Sequence, residues 1–248
     1  MSFKSTVISI FVVFVIALML AEGEPKPLAP WSYTEEGGSE KWAELDERYT
    51  MCEKGVNQSP INITNTIDAS LVPLKFEGNA KGTIFENTGH GVKVNISGGN
   101  KLIIDEEEYS LKQMHFHTPS ENTIDGKSFP MEAHLVHAKG SKLAVVAVML
   151  EVGSDNIVLN KLLRNLPEKE GEKNQLKSSV EGYEILPETK DYYRFDGSLT
   201  TPPCTEGVKW FVLKTPVQLS KSQLNDFETV MGKNNRPIQE INARTILH

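Results

Sequence analysis

Histidine supplies six of the 248 residues, yet two of the six stand two positions apart in the run Leu111 to Asn122, LKQMHFHTPSEN. A metal site, an acid–base pair and a buried structural pair all use histidine, so the direction of each side chain decides between them. The run reads as a β-strand, in which side chains at i and i+2 share a face. Gln113, His115 and His117 then point one way, Met114 and Phe116 the other. MEAHLVH repeats the arrangement, with Glu132, His134 and Val136 on one face and Ala133, Leu135 and His137 on the other. A turn at Asp125-Gly126 lies between the two runs. Paired as antiparallel neighbours, they bring His115, His117 and His134 to one point.

Three neutral imidazoles packed together leave ring nitrogens unpaired, at roughly 1–3 kcal/mol each. A divalent metal removes that cost, and three nitrogen ligands with a fourth position open to water is the pattern of catalytic zinc. Gln113 and Glu132 are placed to accept the second ring N–H of a ligand and so fix its tautomer. His137 faces the other way and reads as a structural histidine. His115-x-His117-x3-Glu121 also fits the iron or manganese motif of cupins. That motif needs glycines where Tyr109 and Ser128 stand, and its Gly-His-Asn companion is missing.

The elements that must position these residues are mostly strands. GVKVNI, KLIID, QMHFH, MEAHLVH, LAVVAVML and VKWFVLKTPV are short, rich in β-branched and aromatic residues, and separated by Gly, Pro, Asn or Asp. Val145 to Leu150 is apolar without a break, as expected of a central strand buried on both faces. SGGNK from Ser97 and IDGKS from Ile124 read as hairpin turns. Two helices are expected. One runs from Asn156 to Leu166 and is stopped by Pro167; the other follows Ser220 as N-cap, with Leu224, Phe227 and Met231 on one face. The fold class is mainly β (α+β), a single domain with a few short surface helices.

The ends and the composition narrow the setting. Lys4, an apolar run from Val7 to Leu20 and the small residues Ala21 and Gly23 have the layout of a secretory signal peptide over residues 1–23. The apolar run is shorter than the roughly 20 residues of a membrane span, so no stable membrane insertion follows its removal. Residues 24–248 form the functional domain. The net charge is −7, with no basic patch interleaved with aromatics, which argues against nucleic acid as a partner. The cysteines number two, Cys52 and Cys204, and in an exported chain they read as one disulfide. Asn62-Ile63-Thr64 and Asn95-Ile96-Ser97 match the glycosylation sequon. Four acidic residues, Asp105 to Glu108, raise an alternative class: a zinc-carrying protein that binds mineral.

QMHFHTPSEN, MEAHLVH and DGSLTTPPCTEGVKW, together with QSPINI, NTGHGVKV and NNRPIQEIN, resemble the α-class carbonic anhydrase family in order and spacing. The resemblance runs from about Trp31 to Arg244 and is similar to the bacterial and extracellular members. It implies a central, largely antiparallel sheet of ten twisted strands. It also implies zinc held by His115, His117 and His134, and reversible hydration of carbon dioxide to bicarbonate and a proton by attack of zinc-bound hydroxide. Thr200 matches the threonine that donates to Glu121 and orients the hydroxide, with Thr201 beside it. Val136, Val145, Leu199, Val208 and Trp210 match the apolar wall for carbon dioxide, and His90 matches the proton shuttle. Cys52 and Cys204 match a disulfide of extracellular members; Tyr33 and Asn87 match residues that order cavity water. One departure is Asn122, where this branch often has histidine. The family implies carbon dioxide and bicarbonate as small-molecule partners, a monomer or homodimer, and an exported protein, periplasmic or extracellular.

Overall fold

Alternation of apolar and polar residues folds the centre of the chain into one large sheet. The computed structural model describes residues 26–248; the expected signal peptide, residues 1–23, lies outside them. The strands are β1 (Asn62–Ile63), β2 (Lys75–Glu77), β3 (Lys81–Asn87), β4 (Val92–Ile96), β5 (Lys101–Ile104), β6 (Glu107–His117), β7 (Thr123–Ile124), β8 (Met131–Lys139), β9 (Lys142–Val152), β10 (Lys173–Glu181), β11 (Tyr192–Ser198), β12 (Glu206–Leu213) and β13 (Val217–Leu219). Eleven of them make the large sheet, in the order β10-β3-β4-β6-β8-β9-β12-β11, with β5 on β6, β2 on β5 and β13 on β9. β1 and β7 form a separate parallel pair. Within the large sheet only β12 and β13 run parallel to their neighbour β9.

The count is eleven where ten were expected, because one strand is interrupted. β4 and β5 lie end to end along the same edge of β6 and are parted by Ser97–Asn100, where Gly98 and Gly99 take positive φ. SGGNK is therefore not a hairpin turn. The hairpin lies at Asp105-Glu106, both at positive φ, between β5 and β6. Two successive residues with φ > 0 match the right-handed twist of the flanking strands. The turn at Asp125-Gly126 is as expected, again with positive φ at both positions.

Four positions of β6 show how the site face is made. Tyr109, Leu111, Met114 and Phe116 are all buried in one core cluster, at spacings of two, three and two. The spacing of three marks a break in register between Leu111 and Gln113, where Lys112 has no partner on β8. A bulge of this kind re-aims the side chains that follow it. Without it, Gln113, His115 and His117 would share a face with Tyr109 and Leu111. With it they turn out of that core.

Both faces of the sheet are covered. One carries the large core, with Leu135, Val146 and Val148 packed against Val158, Leu159, Leu162, Leu224 and Phe227. These come from two helices, α3 (Ile157–Leu163) and α4 (Lys221–Met231), which follow the shorter α1 (Trp42–Leu45) and α2 (Met51–Lys54). Asn156 caps α3 at its start, accepting from the Val158 and Leu159 N–H groups, and the helix ends at Leu163, three residues before the expected Leu166. Ser220 and Gln223 form a reciprocal capping box on α4, as the sequence predicts. The second face holds Ile61, Ile63, Val145, Val208, Trp210 and Ile246. β9 runs between them, buried without a gap from Ala144 to Leu150, and Trp31–His248 is one unit. Both sequon asparagines are tied down in strands: Asn62 accepts from Thr123 and Gly126, and Asn95 donates to Glu86.

His137 takes the core role expected of it. It is fully buried, its Nε2 is 3.2 Å from the Tyr183 hydroxyl, and burial holds its pKa down at about 4. In the unfolded chain it titrates near 6.5, so acidification protonates the unfolded state first and stability falls between pH 6.5 and about 4. The span is worth about 3 kcal/mol at 1.36 per pKa unit. Urea melts from pH 7.5 to 4.5 in excess chelator should therefore lose less stability with acid in His137→Gln than in wild type; parallel curves would contradict this.

Candidate metal centre

The register of β6 on β8 pairs His115 with His134 and His117 with Glu132. Cross-strand partners point to the same face, so the three imidazoles converge. One ring nitrogen from each of His115, His117 and His134 lies within 4.8 Å of the other two. The other nitrogen of each ring is committed. His115 Nδ1 donates to Gln113 Oε1 at 2.8 Å. His117 Nδ1 donates to the Asn234 carbonyl at 2.8 Å. His134 Nε2 lies 3.0 Å from Glu132 Oε1, at ion-pair distance though without hydrogen-bond alignment. Each ring thus turns its other nitrogen inward, and His117 Nε2 is buried with no hydrogen-bond partner among the described residues.

Burial lowers the pKa of all three rings, and those of His115 and His134 fall well below 6.5. They are neutral imidazoles at neutral pH, which is the form that binds metal. The donor chemistry fits a single zinc ion, and His115 and His117 border a cavity of about 180 Å3. Trp31, Tyr33, Thr88, His90, Lys93, Gln113, His115, His117 and Thr201 line that cavity. It has room for several waters or one small molecule.

Behind the histidines lies a buried carboxylate pair. Glu132 Oε2 accepts the N–H groups of Glu121 and Asn122 at 2.7 and 2.8 Å, and Oε1 accepts Asn122 Nδ2 at 2.8 Å. Asn122 Oδ1 takes the Ile61 N–H at 3.1 Å. Asparagine therefore leaves no unfilled hydrogen bond at this position. Glu121 is 3.4 Å from His117 Nε2. Burial pushes its carboxyl up to about 8, opposed by the Arg236 backbone N–H and the Thr200 hydroxyl. The Thr200 hydroxyl favours the charged carboxylate, although Glu121 Oε2 has no hydrogen bond of regular geometry.

The Thr200 segment is fixed at its far end. Leu199 N–H bonds Thr205, Cys204 N–H bonds Thr201, and Cys204 is joined to Cys52 by a disulfide. Arg236, 2% exposed, ties these parts together. Its guanidinium donates to the carbonyls of Cys52 and Ser59 and to Gln58 Oε1, while its backbone N–H reaches Glu121 Oε1 at 3.0 Å. Gln58 in turn donates to the Cys204 carbonyl.

Most expected positions come together. Val145, Val208 and Trp210 pack in one cluster with Val136 and Leu199 against it. The Trp210 ring is 5.0 Å from that of His134, so this apolar wall borders the metal-binding rings. His90 is half-buried and stacked on Trp31 at 3.7 Å, with its pKa lowered by burial against the charge of Glu170. Tyr33 lines the cavity as expected, but Asn87 does not. Its amide braces Gly89 and Pro167, and the next residue, Thr88, takes the place on the wall. Sequence reasoning assigned no role to Asn234 or Arg236. Asn234 accepts His117 with its carbonyl and Thr118 with Oδ1, and donates to the His90 and Phe116 carbonyls.

Three imidazole donors beside a buried carboxylate define a site for one metal ion with an open position. The description of eukaryotic-type carbonic anhydrases matches residues 37–248. A carbonic anhydrase of Pectobacterium atrosepticum is 41% identical over 240 residues, 95% of this chain and 98% of that one. One of Neisseria gonorrhoeae is 44% identical over 220 residues, 88% and 87% of the two chains. The α-carbonic anhydrase of Thermovibrio ammonificans, solved with the inhibitor sulfanilamide, is 43% identical with a TM-score of 0.87, over 89% of this chain and 99% of that one. The chain belongs to the α class of carbonic anhydrases, which are lyases.

The acceptors behind the rings generate a prediction. Gln113→Leu leaves His115 Nδ1–H without its acceptor and frees the ring to rotate. Zinc affinity, measured by competition with a chelator, should fall by about 10- to 100-fold, with the fold unchanged by circular dichroism. Undiminished affinity would remove Gln113 from the site.

Proposed function

We propose that this protein catalyses the reversible hydration of carbon dioxide to bicarbonate and a proton at a zinc ion held by His115, His117 and His134. The observation that carries the reading is the convergence of one ring nitrogen from each of three histidines next to Glu121, with His115 and His117 bordering a cavity that His90 and Thr201 also line. A zinc ion bound there supplies Lewis acidity, lowering the pKa of a coordinated water from about 15.7 to about 7.

The protein's own groups then divide the work. Gln113, the Asn234 carbonyl and Glu132 hold the three rings in the tautomers that face inward. Glu121, whose charged form the Arg236 N–H and a nearby metal cation both favour against burial, accepts a hydrogen bond from the Thr200 hydroxyl. The Thr200 oxygen is thereby left as an acceptor, which selects one orientation of the attacking oxygen. Val136, Val145, Leu199, Val208 and Trp210 offer carbon dioxide, an apolar molecule, a surface with no competing hydrogen bonds. Thr201 lines the cavity beside it. His90, an imidazole able to change charge in the physiological pH range, carries the released proton from the cavity to buffer. Residues 1–23 act as an export signal, and the Cys52–Cys204 disulfide suits a periplasmic or extracellular location. The ion pairing of the acidic run weighs against a mineral-binding role: Asp105 pairs with Arg194 and Lys209, and Glu107 with Lys139 and Lys142.

Stopped-flow hydration of carbon dioxide by the mature protein is the test. Activity should fall to background on zinc removal and in His117→Ala. In His90→Ala, kcat should drop by about 10²-fold, the lower end of general acid–base contributions, and recover in part with added imidazole. Stoichiometric zinc without hydration would overturn the reading.

A further inference from the structure

The register of the sheet places Lys173, Glu86, Lys93, His115 and His134 in one transverse row. Lys173 pairs with Glu86, Glu86 with Lys93, Lys93 with His115, and His115 with His134. Val92, Val94 and Ile96 of β4 are buried in the core on the opposite face, so Lys93 shares the face of the metal-binding rings. Lys93 lines the cavity, and among the described lining residues it is the only one with a permanent charge; no carboxylate joins it there. Glu86 lies 3.5 Å from the Lys93 ammonium and 3.1 Å from that of Lys173. Its second polar partner is Asn95, at 3.2 Å. One carboxylate shared by two lysines leaves this end of the row with a net charge of about +1 at neutral pH. A chain of net charge −7 thus presents a cation in its cavity, where field lines concentrate.

We infer that Lys93 is a specificity-determining residue that attracts and retains monovalent anions in the cavity, bicarbonate in the proposed reaction, with Glu86 setting how much of its charge is available. The inference rests on the carbonic anhydrase reading of the site. Carbon dioxide carries no charge and gains nothing from Lys93, whereas bicarbonate does.

The test is calorimetric titration of the zinc-loaded full-length mature protein with sodium thiocyanate and with sodium bicarbonate. Wild type, Lys93→Gln and Glu86→Gln are compared, with imidazole as a neutral ligand. Lys93→Gln should bind both anions about two- to fivefold more weakly, the range of a partly exposed charge contact. Glu86→Gln should bind them more tightly, and imidazole should not distinguish the three. The differences should be largest at about 10 mM ionic strength, where the Debye length is roughly 30 Å, and vanish at about 1 M, where it is roughly 3 Å. Equal anion affinity in folded, zinc-replete wild type and Lys93→Gln would overturn the inference. Because binding is measured without turnover, absent hydration activity would count against the function and not against Lys93.

Discussion

Three imidazole lone pairs face one another at the centre of the sheet, and the surrounding structure exists to keep them unprotonated and aimed. Desolvation disfavours the charged ring, and each ring has a fixed oxygen beside its outer nitrogen, hydrogen-bonded for His115 and His117 and at ion-pair distance for His134. Those oxygens differ in kind: the Gln113 amide two residues before His115 on β6, a backbone carbonyl from the segment after α4, and the Glu132 carboxylate two residues before His134 on β8. The rings cannot turn without losing a buried hydrogen bond or ion pair. Such an arrangement is costly when the nitrogens face only one another, so the site carries a standing preference for a cation.

The sheet acts as the ruler. Neighbouring strands lie about 4.8 Å apart, so a transverse row of residues is a set of evenly spaced positions on one face. One row carries Lys93, His115 and His134; the next carries Gln113, Val136, Val145 and Trp210. Ionic and apolar surfaces therefore meet along the line between two rows. That suits a reaction whose neutral substrate becomes an anion. The bulge at Lys112 makes both rows possible, because it lets β6 fill the core with Leu111 and still turn Gln113 away from it.

Below the rings, buried acidic groups are met by hydrogen-bond donors of the protein itself. Glu121 and Glu132 are both buried, a placement tolerated only because backbone N–H groups, Asn122 and Arg236 surround them. Arg236 also joins the Glu121 carboxylate to the carbonyl of Cys52 and, through Gln58, to that of Cys204. The disulfide, the Thr200 segment and the metal-binding rings are thus parts of one hydrogen-bonded unit. Asn122 belongs to it, and its amide meets both the Glu132 carboxylate and the Ile61 N–H.

Short-range pattern is legible in the chain itself. Period-two alternation sets the faces of His115, His117, His134 and His137, the unbroken run from Val145 marks the central strand, and Ser220 announces α4. These features depend on a residue and its near neighbours, so the chain determines them wherever it folds. Other assignments come through family resemblance: Thr200, Glu121 and His90 have no local signal, since a threonine in a proline-rich turn and a lone loop histidine look ordinary. What tertiary structure alone decided is non-local. The hairpin sits at Asp105 and not at Ser97, because β4 and β5 share an edge of β6. Thr88 and not Asn87 meets the cavity, because a one-residue step reverses the side chain. The Asn234 carbonyl orients His117, and a backbone oxygen leaves no trace in residue type. Lys93 acquires its place beside His115 only through strand register, which is set by packing across the whole sheet.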